Sequence, residues 1–135
     1  MPLHLPRHLE TALWEHVQRE VPCECVGVIG AQGAALRALY PLRNIARDPA
    51  HRYLADPASL LRALRAMEQE GLTLAAIYHS HPHGRARPSR SDLDLAEYRV
   101  PYLIADVERH DLRAYLLPQG EEVELTIDER GTDFS

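Results

Sequence analysis

An apolar run, Leu72–Tyr78, passes without a break into His79-Ser80-His81-Pro82, and Ser89 and Asp92 follow close behind. A run of this length and apolarity reads as a buried strand. Strand alternation then puts His79 and His81 on one face and Ser80 on the other. The next segment, His83–Pro88, is rich in Gly, Pro and Arg and must be a loop. The chain returns at Ser89 or Ser91, either of which can cap a helix over Asp92–Glu97, with Asp92 in its first turn. A fold obeying these constraints gathers two imidazoles and a carboxylate where a strand gives way to loops, a common address for functional groups. All three are normal zinc donors, and three protein donors leave a fourth position open, as in catalytic rather than structural sites.

Such a site needs a proton acceptor. A bound zinc lowers the pKa of its water from about 15.7 to about 7, but a carboxylate must still carry the proton to a leaving amine. Glu24 is the candidate, because an acid opening the apolar run Cys25–Ile29 is costly unless it has a purpose or reaches water. From spacing alone, a solvent-facing strand start explains it equally well. Cys23 and Cys25 would share the face opposite Glu24 and cannot comfortably bridge each other. With no second cysteine pair to complete a structural zinc site, they read as small buried residues. The Ser89 hydroxyl could face a developing oxyanion, a contribution of about 3 kcal/mol, or serve only as a helix cap. Ser80 would point away and support the loop. His83 reads as a solvated loop residue. Arg85, Arg87 and Arg90 could steer an acidic partner or grip a carboxylate, or simply be solvated.

The remaining pattern supplies the frame. Leu9, Leu13 and Val17 mark a helix over residues 6–20, with Pro6 in its first turn and Pro22 closing it. Cys25–Ile29 is a strand ending at Gly30, and Ala35–Leu42 is its hairpin partner across Ala31-Gln32-Gly33. A loop over 43–50 leads to a short strand, His51–Leu54. Asp56 caps a helix begun by Pro57 and ended by Gly71, with Leu60, Leu61, Leu64 and Met67 on its apolar face. Strands follow at Val100–Val107 and Leu112–Leu117. Glu121–Ile127 alternates apolar and polar residues, as a half-buried antiparallel strand near an edge does. This order predicts an α/β (α+β) chain with a mixed sheet flanked by helices.

The 135 residues suit one domain, 1–128, with a loose tail over 129–135. Net charge is −5 with no basic stripe, which argues against nucleic acid. No apolar run is long enough to cross a bilayer, and the first ten residues lack a secretory pattern, so the expected location is cytoplasmic. Trp14 and the apolar helix faces could support a homodimer.

At these residues the chain resembles the JAMM, or MPN-plus, metalloproteases. Their pattern is an upstream Glu, then His-x-His-Pro, six residues, Ser, two residues and Asp. Here it reads Glu24, His79-Ser80-His81-Pro82, HGRARP, Ser89, Arg90-Ser91, Asp92. The resemblance extends over roughly residues 8–127. It implies a curved mixed sheet flanked by helices, in a cytidine-deaminase-like fold. It implies one catalytic zinc held by His79, His81 and Asp92, with Glu24 as general base and then acid, and Ser89 as oxyanion stabiliser. The implied activity is hydrolysis of the bond after the C-terminal glycine of a ubiquitin-like or sulfur-carrier β-grasp protein ending in Gly-Gly. Two alternatives stay open: release of an amino acid such as cysteine from a sulfur carrier, and a non-catalytic module that only binds a tail. Substrate-binding residues are not identified by the motif. The chain departs from the usual Glu-x-Cys-Gly, reading Glu24-Cys25-Val26-Gly27, which predicts different packing beside Glu24. A deaminase-type Pro-Cys-x-x-Cys zinc tract is not formed, since Pro22-Cys23-Glu24-Cys25 is one residue short.

Overall fold

The computed structural model describes residues 2–129. Its elements are β1 (Leu3–Pro6), α1 (Arg7–Glu20), β2 (Val26–Gln32), β3 (Ala35–Leu42), α2 (Pro57–Gln69), β4 (Thr73–His81), α3 (Arg90–Leu95), β5 (Tyr102–Asp106), β6 (Asp111–Leu116), β7 (Glu121–Val123) and β8 (Leu125–Asp128). Six strands form one mixed sheet in the order β3-β2-β4-β5-β6-β7, in which β4 and β5 run parallel and the other pairs antiparallel. A separate two-stranded sheet pairs β1 with β8 in parallel.

Strand alternation sorts the core into two layers. On one face, Ile29, Ala76, Tyr78 and Leu103 pack with Leu5 of β1 and with Leu9, Leu13 and Val17 of α1. On the other, Val26, Val28, Ile77 and Ile104 pack with Ala63 and Met67 of α2. Each large apolar side chain so buried contributes about 1.5–3 kcal/mol relative to exposure. Tyr78 lies on the α1 side and Ile77 on the α2 side, so parity puts His79 and His81 on the α2 face. Gly27 is required here for close approach: a Cβ on it would lie 2.2 Å from Tyr78 Cζ.

Several sequence expectations are revised. Helix α1 begins at Arg7, because Pro6 keeps an extended ψ of 144° and ends β1. No strand forms over His51–Leu54, whose surroundings bond instead to Asn44, with a single bridge between Asn44 and Ala55. Residues 121–127 do not make one antiparallel strand. The ladder ends at Glu124, whose carbonyl accepts from Leu3 N, so β7 finishes the large sheet and β8 joins β1. The predicted tail lies outside the described residues except for Glu129, which pairs with Arg7. Trp14 is buried, at 8% exposure, and stacks on His110 at 3.9 Å between ring centroids.

Candidate metal centre

His79 and His81 close β4, and both are buried. Asp92 arrives from α3, which runs over Arg90–Leu95, two residues earlier at each end than the motif alone predicts. The helix starts there because Ser89 caps it. Ser89 Oγ accepts from Asp92 N at 3.0 Å, and Asp92 Oδ2 accepts from Ser89 N at 2.9 Å. This reciprocal capping box aims the Asp92 carboxylate back along the helix start. Oδ1 then lies 3.1 Å from His79 Nε2, and Oδ2 lies 3.1 Å from His81 Nε2. Ser89 itself is an exposed residue whose hydroxyl oxygen caps the helix.

The antiparallel register supplies the fourth group. Val26 pairs with His79 at the end of the ladder, and just before it the Cys25 main chain bonds to Ser80, which brings Glu24 beside the two histidines. Ser80 does not support the loop, as the sequence led us to expect. Its Oγ accepts from Cys25 N at 2.8 Å and its own N–H donates to Cys25 O at 3.2 Å, which anchors the residue beside Glu24. Glu24 is buried at 5% exposure, and ligand atoms of Glu24, His79 and His81 lie within 4.8 Å of one another. Cys25 is buried and free, and Cys23 is half-buried and free.

Hydrogen bonds orient the imidazoles. His81 Nδ1 donates to Arg85 O at 2.8 Å, which turns Nε2 toward Asp92 Oδ2, a hydrogen-bond partner at 3.1 Å. The Tyr115 hydroxyl donates to Ala86 O at 2.6 Å and pins the same loop. The Tyr53 ring lies 4.5 Å from the His79 ring. His83, 66% exposed and 3.6 Å from Glu108, stands outside the cluster. A cleft of about 580 Å³ is lined by Val26, Val28, Leu60, Ile77 and Tyr102, with Asp94 and Glu97 also on it, and shares Tyr53 with the surroundings of His79.

The electrostatics follow from burial and proximity. Burial pushes Glu24 up to about 7, with His81 opposing and Asp92 adding to the shift. Burial draws His79 downward against the pull of Asp92, so the ring favours its neutral, lone-pair form. Burial also acts downward on His81, but Asp92 and the Arg85 carbonyl outweigh it and the net shift is upward. Burial would raise Asp92, yet the two histidines hold it well below the usual carboxylate range.

These residues fit a zinc ion. Both ring nitrogens of His79 and Oε1 of Glu24 are buried without a hydrogen-bond partner. Atoms left so cost about 1–3 kcal/mol each. His79 Nε2 approaches Asp92 Oδ1 without the alignment of a hydrogen bond, as two lone pairs aimed at a shared cation would. Donors about 2.0–2.2 Å from a tetrahedral ion lie about 3.3–3.6 Å apart, and Nε2 of each histidine stands 3.1 Å from an Asp92 oxygen. Tyr53, Asn44 and the Arg85 carbonyl lie outside the motif. Tyr53 and Asn44 had no local sequence signal beyond the asparagine that starts a loop.

Known proteins share this architecture. Residues 6–118 match the family of prokaryotic homologues of the JAB domain. A probable TtuB-protein conjugate cleaving protease from Thermus thermophilus is 46% identical over 125 residues, which cover 93% of this chain and 82% of that one. A CysO-cysteine peptidase from Mycobacterium tuberculosis is 36% identical over 118 residues, covering 83% and 80%. A protein from Desulfitobacterium hafniense, solved in solution, superposes with a TM-score of 0.86 at 26% identity, covering 99% and 97%.

Proposed function

The chain belongs to the prokaryotic JAB family, and from that premise we propose that it is a zinc-dependent peptidase acting on the C-terminal end of a ubiquitin-like or sulfur-carrier protein. One observation carries the reading: a buried carboxylate, Glu24, with an unpartnered oxygen, set within 4.8 Å of two strand-end histidines.

In this reading His79, His81 and Asp92 hold the metal. Zinc, when bound, supplies Lewis acidity to water and to the scissile carbonyl. Glu24 takes a proton from the attacking water and returns it to the leaving amine, a role that suits a carboxyl raised toward neutrality. The Ser89 hydroxyl keeps its proton free to donate to the oxyanion while its oxygen caps α3. Ser89 N and Arg85 O hold Asp92 and His81 in place, so little reorganisation is needed at the moment of reaction. The cleft that reaches His79 through Tyr53 takes an extended tail, and the glycines of a Gly-Gly end pass where larger side chains would collide with the proposed ligands.

The test is to load the protein with zinc and offer β-grasp fusions carrying a Gly-Gly junction. Cleavage after the second glycine is expected, and Glu24→Ala should keep the metal and lose turnover. Absence of cleavage by zinc-loaded wild type at every pH tried would sink the reading. The similarity to a CysO-cysteine peptidase favours a second version, release of a single amino acid such as cysteine from the carrier. Mass spectrometry separates them: loss of one residue supports the second, and loss of an attached protein the first.

A further inference from the structure

We propose that Asn44 is a positioning residue for Glu24, an inference that rests on the catalytic reading above. Glu24 lies two residues before β2 begins, so the named strand pairing does not hold its main chain. Its Oε1 has no partner to orient the carboxylate. The segment following β3 grips the Glu24 backbone on both sides of the residue, and so places the side chain it carries. Glu24 N donates to Pro49 O at 2.7 Å. Glu24 O accepts from Asn44 Nδ2 at 2.9 Å.

The same carboxamide organises the gripping loop. Asn44 Nδ2 also donates to Arg52 O at 3.2 Å, and Oδ1 accepts from Ala46 N and Leu54 N, each at 3.0 Å. Two donors and two lone pairs are all used, the full capacity of the group. Two carbonyls sit on one side and two N–H groups on the other, so only one orientation of the amide satisfies all four. No helix or strand forms over residues 43–56 apart from the bridge between Asn44 and Ala55, and Asn44 takes the place of a ladder. The loop it closes carries Pro49, which holds Glu24, and Tyr53, whose ring lies against His79. One side chain thus ties the base to the loop that packs on a proposed metal ligand. Displacing a reacting group by about 1 Å can cost about 100-fold in rate, which is why an uncharged residue that never meets substrate matters here.

Asn44→Asp isolates the effect. It keeps an acceptor for Ala46 N and Leu54 N and removes the donors to Glu24 O and Arg52 O. Amide hydrogen exchange on the metal-free protein reads the clamp without any substrate. The Glu24 amide should exchange at least about tenfold faster, with Ile104 in β5 unchanged. On a cleavable fusion, the zinc-loaded variant should lose at least about tenfold in kcat, with KM within about twofold and zinc content retained. In a Glu24→Gln background the same change should cost nothing further, because its route to the reaction is gone. Unchanged exchange at Glu24 overturns the proposal whatever the substrate proves to be. So does a loss of protection that includes Ile104, since Asn44 would then serve folding as a whole. An equal kcat loss in the Glu24→Gln background also overturns it. If wild type cleaves no fusion, the catalytic reading fails, and the exchange result still decides the clamp.

Discussion

Burial acts in opposite senses on Glu24 and His16, because each is driven toward its neutral form. For Glu24 neutrality means a raised pKa beside the histidines. For His16, on α1, burial lowers the pKa to about 4, and Arg19 adds to the effect. His16 Nδ1 lies 2.7 Å from the Tyr78 hydroxyl and Nε2 lies 3.9 Å from Glu20. The consequence is a pH-dependent stability. An unfolded histidine protonates near pH ~6.5, before the folded one does, so the unfolded state binds more protons as pH falls. This contribution is whole above about 6.5, is lost between about 6.5 and 4, and amounts to about 3 kcal/mol at most. Urea unfolding across that window should show a shallower acid dependence for His16→Gln than for wild type. Equal slopes would mean that His16 is protonated in the folded chain.

Two helix caps and one strand pair distinguish scaffold from chemistry at the level of elements. Asp56 caps α2 by accepting from Ala58 N at 3.3 Å, and Pro57 starts the helix. Asp56→Ala should cost about 1 kcal/mol of stability and leave kcat near wild type. Ser89→Ala removes a comparable cap from α3, but it should also lower kcat by about 100-fold, because the hydroxyl proposed to meet the oxyanion is lost. Parallel measurement of urea midpoints and turnover tests the contrast; equal kinetics in the two variants would leave Ser89 as a cap alone. Between β2 and β4, Gly27 lies opposite Tyr78, whose ring fills the space of a side chain. Gly27→Ala should destabilise by about 1–3 kcal/mol or more, since the ring is buried and cannot yield. The displaced cysteine of the acidic strand is accommodated in this same region. Cys25 packs into the α1-side core, and its main chain bonds to Ser80.

Across the whole molecule, the proposed metal ligands sit on a sheet with two apolar layers, so the fold is expected to stand without a metal. Chelation should abolish turnover and leave the far-ultraviolet circular dichroism intact. Re-adding zinc at about 100 times its Kd should stabilise the chain by about 2.7 kcal/mol. Collapse of secondary structure on chelation would show that the site builds the fold. Among the described residues, no helix is long and apolar enough to cross a membrane. The gathering of the site was only partly legible beforehand. Donor types, the shared face of His79 and His81, and the return of Asp92 through a capped helix are local properties of residues 72–92, fixed by strand parity and capping chemistry. The Asp56-Pro57 helix start was readable for the same reason. The division of 121–128 between two sheets was not, because alternation specifies a strand but not its partner. Nor was the place of Glu24, Asn44 and Tyr53. Glu24 comes to His79 and His81 beside the pairing of Val26 with His79, while Tyr53 meets His79, and Asn44 the Glu24 carbonyl, from a segment without periodicity. Hydrogen-bonded register between segments more than fifty residues apart is chosen by the packing of both sheet faces together, which no local stretch of sequence encodes.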